Sequence, residues 1–285
     1  MKFRRRYRSR NVLDQRAASP PTRGGLSGLP IGAAGGGIGG IILLLLFLFL
    51  SGALGGGDAP ETPEQGPAVP GAPDPEADLV SFVSFVFDDA QATWTDLFTQ
   101  SGESYRPAHM VLFREATNTG CGFATSEVGP FYCPADERVY LDLGFFDELQ
   151  QRYGAEGDFA QAYVIAHEVA HHVQNQLGIN DRVQRLAGRN PSEANDLSIQ
   201  QELQADCFAG VWGKTTRERG LLEAGDLQEG LGAAAAVGDD RIQREATGQV
   251  NPETWTHGSS EQRQTWFQEG FQSGDSDACD TFGWT

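Results

Sequence analysis

Apolar residues are arranged in two different ways along this chain, and the difference divides it. From Leu29 to Leu54 no charged residue occurs, and Ile41–Leu50 (IILLLLFLFL) is apolar at every position. Counted from Ile31, this run reaches the roughly 20 residues needed to cross a bilayer core of about 30 Å, and it predicts a transmembrane helix over 31–54. Beyond Asp78 the apolar positions recur with the periods of packed secondary structure. Leu79, Phe82, Val83, Val86, Phe87 and Ala90 follow helical spacing and predict a helix over 79–98. Short runs at 109–114, 121–125 and 138–143 have strand character, with Val139, Leu141 and Leu143 alternating against Tyr140 and Asp142. They predict a small antiparallel sheet. Helical patterns follow at 145–153, 159–177, about 192–212, 226–237 and 260–272. Strands first and helices after give an α+β class for a folded domain over 78–285.

Composition separates the two regions further. Residues 55–77 contain six prolines, several acids and no aromatic residue, which predicts a semi-extended linker with too little apolar surface to fold. The first thirty residues hold eight of the 21 basic side chains and one acid, Asp14, for a net charge of +7; the rest of the chain carries -25. An excess of Lys and Arg ahead of the apolar run predicts a basic cytoplasmic tail over 1–30. The expected location is then a single-pass cell-membrane protein, with the domain extracytoplasmic, in the periplasm or outside the cell. A cleaved signal peptide is the alternative, because Ser51-Gly52-Ala53 resembles a cleavage site; the long basic region favours an uncleaved anchor. No cysteine follows the apolar run closely enough for a lipid anchor. The basic tail is read as a topology and lipid signal, and no nucleic-acid partner is expected.

The four cysteines, Cys121, Cys133, Cys207 and Cys279, lie in the part expected outside the cytoplasm and are disulfide candidates. Cys121 and Cys133 flank a turn-rich segment and can close a hairpin, which leaves Cys207 for Cys279; four cysteines nevertheless allow three connectivities. No Cys-x-x-Cys spacing supports a zinc cluster of thiolates.

Three of the five histidines fall within six residues, in HEVAHH at 167–172. Asp158 stands where it can cap the helix carrying them, with Gln161 three residues on and Gly178 placed to end it. In a helix His167 and His171 lie one turn apart on one face, so both imidazoles can reach one ion. Glu168 sits beside them as a general base for a water at that ion. His172 points about 100° away from His171 and is read as a packing or hydrogen-bonding residue, and His109 as structural. A catalytic zinc site needs a third protein ligand. ELQAD at 202–206 supplies Glu202 as an oxygen ligand and, one turn on, Asp206 to accept the outer N–H of a ligand histidine. His257 is the alternative third ligand. The segment 178–191 is read as a loop long enough for the second helix to fold back over the first.

His-Glu-x-x-His followed by Glu-x-x-x-Asp resembles the zincin metallopeptidases of the glutamate-ligand type. More closely, the chain resembles the neutral zinc metallopeptidase family of bacterial membrane proteins. That resemblance extends over RSRNVLDQR at 8–16, the apolar segment, CGFATSEVGPFYCPADERVYLDLGFF at 121–146, HEVAHHVQNQLG at 167–178, ELQADCFAGVW at 202–212 and THGSSEQRQTWFQEGF at 256–271. It implies a zincin-like fold, one Zn2+ per chain, an edge strand able to pair with an extended peptide, and hydrolysis of a peptide or protein substrate, as an endopeptidase. Within it the oxyanion donor is expected to be His257, with Tyr153 and Arg263 as lesser candidates. A membrane-anchored binding or assembly factor that keeps the fold without turnover is the alternative. The retained Glu168 favours the enzyme. A purely structural zinc is disfavoured, since no fourth ligand is evident.

Overall fold

The computed structural model describes residues 1–18 and 74–284. The expected transmembrane helix over 31–54 and all but the last residues of the expected linker over 55–77 lie outside the described residues. Among the described residues no helix is long and apolar enough to cross a membrane.

The class is α+β. The first helix, α1, runs Ala77–Gln100 and buries Phe82, Val83, Val86, Phe87, Ala90, Trp94 and Phe98, an i, i+3/i+4 stripe. The sheet is mixed, where an antiparallel one was expected. Its strands are β1 (Val12–Asp14), β2 (His109–Phe113), β5 (Phe131–Cys133) and β6 (Arg138–Asp142), in the order β1-β2-β6-β5. β1 and β2 are parallel, as are β2 and β6, and only β5 runs antiparallel to β6. β3 (Ala116–Thr119) and β4 (Gly122–Thr125) form a separate hairpin. Periodicity shows that a strand exists but not its direction, and a long excursion between β2 and β6 makes their parallel pairing possible.

Alternation along the strands divides the core. Met110, Leu112, Val139 and Leu141 face the main core with α1 and the helices that follow. Val111, Phe113 and Tyr140 face the other way and close with Phe131, Cys133, Ala124 and Val128. After the sheet come α2 (Phe145–Gln151), α3 (Asp158–Gln176), α4 (Ile179–Arg189), α5 (Ala194–Glu218), α6 (Asp226–Ala236), α7 (Asp239–Thr247) and α8 (Ser260–Ser273). The expected loop over 178–191 is therefore largely the helix α4, whose Val183 and Ala187 pack with Leu197. Its sequence, INDRVQRLAGR, offers only a narrow apolar stripe, which hid it.

The two disulfides are Cys121–Cys133 and Cys207–Cys279. The first ties the β3–β4 hairpin to the sheet. The second ties α5 to the C-terminal segment.

Residues 1–18 are part of this domain, where a separate basic tail was expected. β1 pairs with the edge of β2, and the Phe3 ring meets Phe82 with centroids 5.1 Å apart. Tyr7, Ser9 and Asn11 each donate to the Asp88 carboxylate at 2.9 Å. Arg16 binds Asp14, Asp74 and Glu76, so both ends of the segment between residues 18 and 74 lie together. A strand hydrogen-bonded into a sheet lies on the same side of any bilayer as that sheet.

Candidate metal centre

The centre is built on α3. The residue before it, Gly157, has φ 102°, and a Cβ there would fall 2.0 Å from the Glu229 carboxyl carbon. That close approach lets Glu229, on α6, accept the backbone N–H of Phe159 at 3.0 Å. Glu229 thus caps the helix start in place of Asp158, which is itself the first helical residue. Gly178, at φ 71°, follows the helix end as expected.

Two further helices close around α3. On α5, Gly210 and on α8, Gly270 bring the two backbones into contact: a Cβ on Gly270 would lie 1.9 Å from the carbonyl oxygen of Cys207. This crossing carries Glu202 and Asp206 to the histidine face of α3 and Arg263 behind them.

The Nε2 atoms of His167 and His171 are 3.1 Å apart. Glu202 completes a triangle, with Oε2 3.1 Å from His167 Nε2 and Oε1 3.5 Å from His171 Nε2. Four ligands about 2.05 Å from a tetrahedral zinc stand about 3.3 Å from one another, so the two imidazoles and the carboxylate fit that ion in chemistry and spacing. The second cluster of acidic groups, Asp158, Asp226 and Glu229, has no histidine, and the Met1 amine lies 2.6 Å from Asp158 within it.

Each histidine turns Nδ1 outward. His167 Nδ1 is 2.9 Å from Asp206 Oδ1, and His171 Nδ1 is 2.9 Å from Gln174 Oε1. Asp206, fully buried, also accepts from the Tyr163 hydroxyl and from Arg263, Nε to Oδ2 at 2.8 Å. Burial alone would lower the His167 pKa, but Asp206 and Glu202 outweigh it and raise it to about 9. Burial works against the Glu202 and Asp206 carboxylates too; their partners outweigh it, the facing histidines at Glu202 and Arg263 at Asp206, and both pKa values fall.

Glu168 is 7% exposed and holds no hydrogen bond from a side chain or ion pair with the described residues. Desolvation raises its pKa. A buried carboxylate left free beside the imidazoles is available to water.

The remaining sequence candidates separate clearly. His257 Nδ1 is 3.0 Å from Asp239 Oδ1, whose other oxygen accepts the backbone N–H groups of Thr256, His257 and Gly258. Burial lowers the His257 pKa, and Asp239 raises it by more. Arg263 holds Asp206 through Nε and Nη2 and also donates to the Val237 carbonyl and Tyr163, which makes it the counter-ion of Asp206. Tyr153 is buried in the core with Phe146 and Leu149. His172 is occupied on both nitrogens, by the Tyr132 hydroxyl at 2.9 Å and the Arg106 carbonyl at 2.6 Å. His109 is exposed at the start of β2. Sequence reading missed Tyr163, one turn before His167 on the same face, and Gln174, one residue short of a turn beyond His171. Their helical spacing was a visible signal for both.

A helix bearing two histidines and a glutamate, closed by a carboxylate from a second helix, is a group of side chains that could hold a metal ion. The chain belongs to the family described as "Putative neutral zinc metallopeptidase", whose pattern it matches over residues 1–282. It is 50% identical over 209 residues to the Escherichia coli K12 protein YpfJ, covering 73% of each chain. It is also 48% identical over 206 residues to Mycobacterium tuberculosis Rv2575, covering 68% of each. Both relatives are described as uncharacterized. No solved structure matches the chain.

Proposed function

We propose that this protein is a zinc-dependent peptidase, in which His167, His171 and Glu202 hold one Zn2+ and Glu168 is the general base. The observation that carries the reading is the convergence of three ligand atoms beside an unpaired buried carboxylate. Zinc held there would supply Lewis acidity, lowering the pKa of water and polarising a carbonyl. Glu168 takes the proton of the attacking water and passes it to the leaving nitrogen. Its raised pKa makes it the stronger base. His257, whose pKa Asp239 raises against burial, donates to the developing oxyanion. β5 is an edge of the sheet and touches α3 through Tyr132 and His172, which suits an extended peptide laid along that edge, in the manner of an endopeptidase.

The apolar run at 31–54 attaches the protein to a membrane in this proposal, and the two disulfides favour an extracytoplasmic domain. The docked residues 1–18 accompany the domain to that side.

The test uses the full chain in detergent, with bound zinc and cleavage of a peptide library measured for wild type and Glu168→Gln. Zinc in both with cleavage by wild type alone supports the peptidase. Zinc in both with cleavage by neither, alongside equal capture of a protein partner, replaces it with the non-catalytic factor.

A further inference from the structure

The two histidines at the centre have outer partners of different kinds. His167 rests on the Asp206 carboxylate, which can only accept, so in the neutral ring Nδ1 carries the proton and Nε2 the lone pair. His171 rests on an amide, Gln174 Oε1. A free amide can turn over and present its NH2 group, which would favour the wrong tautomer of His171.

Gln174 is not free to turn. Its Nε2 donates to the Gln201 carbonyl at 2.7 Å and to Gln204 Oε1 at 3.0 Å. Gln204 in turn donates through Nε2 to the Cys279 carbonyl at 3.1 Å. Backbone carbonyls only accept, so the two carbonyls at the far ends fix the direction of both amides. The direction runs without conflict from Cys279 back to His171. Gln174 is fully buried and Gln204 is 7% exposed, so water does not compete strongly with this chain of bonds. Cys279 is placed by its disulfide to Cys207, which follows Asp206 directly on α5.

We propose that Gln174 and Gln204 are positioning residues that fix the tautomer of His171, and that the Cys207–Cys279 bridge anchors them. One helix, α5, then supplies the carboxylate ligand Glu202, the outer support of each histidine through Asp206 and Gln204, and the covalent anchor. The inference rests on the zinc reading of the site and specifies what holds its second imidazole.

The experiment measures zinc affinity by chelator competition, the visible spectrum of the Co2+-substituted protein, and metal-free melting, all on the full chain. Gln174→Ala should weaken zinc about 10- to 100-fold, the usual effect of losing the outer partner of a ligand histidine. Gln174→Glu, which still accepts the Nδ1 proton, should recover most of that affinity even where metal-free melting falls; a merely structural amide would show no such recovery. Gln204→Ala removes one of the two acceptors of the Gln174 NH2 group and leaves the Gln201 carbonyl as the other, so it should weaken zinc by less than Gln174→Ala and alter the Co2+ spectrum; it carries the comparison if Gln174→Ala fails to fold. The double variant Cys207→Ser with Cys279→Ser should lose affinity in the same direction. Wild-type affinity in Gln174→Ala or Gln204→Ala overturns the positioning role, and wild-type affinity in the double variant overturns the anchor. Absence of zinc from the wild type would instead overturn the metal centre itself.

Discussion

Asp206 Oδ1 lies 2.9 Å from His167 Nδ1, and the same carboxylate holds Arg263 through its second oxygen at 2.8 Å. One buried group therefore orients a metal-facing imidazole and neutralises a guanidinium brought in by α8. The centre is coupled to the packing of α5 on α8 through this residue.

Asp206→Asn should weaken zinc about 10- to 100-fold, since the outer partner of His167 loses its charge and one acceptor. It also leaves Arg263 charged and buried without its counter-ion, a loss of about 3–5 kcal/mol when one member of a buried pair is removed. Chelator competition and thermal melting of the metal-free protein read the two effects separately. A variant that binds zinc as wild type does would contradict the assignment.

Glu168→Gln should retain zinc and lose at least about 100-fold in kcat. In the wild type, Glu168 must be ionised to act, and burial raises its pKa above 4.5. Activity should therefore fall as pH drops through a midpoint higher than that of an exposed glutamate. A pH profile of kcat/KM checks this; a flat acid limb down to pH about 4 would remove Glu168 as the base.

Zinc affinity should rise with pH up to about 9, because zinc must displace the His167 proton, which is held up to about pH 9 in the metal-free protein. The sign for the metal-free fold is opposite. Its stabilisation by protonated His167 is fully present below the ordinary pKa of 6.5 and is lost as pH rises through about 9. Melting with and without chelator across this range should show a widening gap. A constant gap would mean that His167 is not a ligand.

Gly270→Ala should destabilise the fold and weaken zinc together, because a methyl group 1.9 Å from the Cys207 carbonyl oxygen forces α8 away from α5 and draws Arg263 off Asp206. The comparison is Gly232→Ala, where a Cβ meets nothing within 4 Å. Equal melting temperatures for the two variants would refute the close crossing.

Tail and domain should share one compartment. Arg5 and Gln268 are both exposed, and all four native cysteines are paired. Single variants Arg5→Cys and Gln268→Cys should thus react alike with a membrane-impermeant thiol reagent on intact cells. Labelling of only Gln268→Cys would restore the expected topology, with the tail in the cytoplasm.

Much of the fold was legible because it follows local periodicity. The apolar stripe of α1, the helix carrying His167 and His171, and the strands β2 and β6 all repeat at the spacing their geometry imposes. α4 escaped because INDRVQRLAGR has few apolar positions, and β1 because three residues show no period. Strand direction escaped as well, since parallel and antiparallel pairing place the same residues on the same faces.

Sequence by itself determined the chemistry available: two imidazoles one helical turn apart, a glutamate beside them, and a carboxylate pair one turn apart further along. These are facts of spacing on a helix, fixed by 3.6 residues per turn. Tertiary structure decided what each remaining group does. Arg263 became the counter-ion of Asp206, Tyr153 a core residue, and Glu229 the cap of α3. Gln174 and Gln204 came to lie behind His171, and residues 1–18 closed the sheet edge. Those outcomes depend on which helices touch and how closely, and where α5 crosses α8 a glycine on each helix, Gly210 and Gly270, sets that distance, while the linear sequence shows only two small residues sixty positions apart.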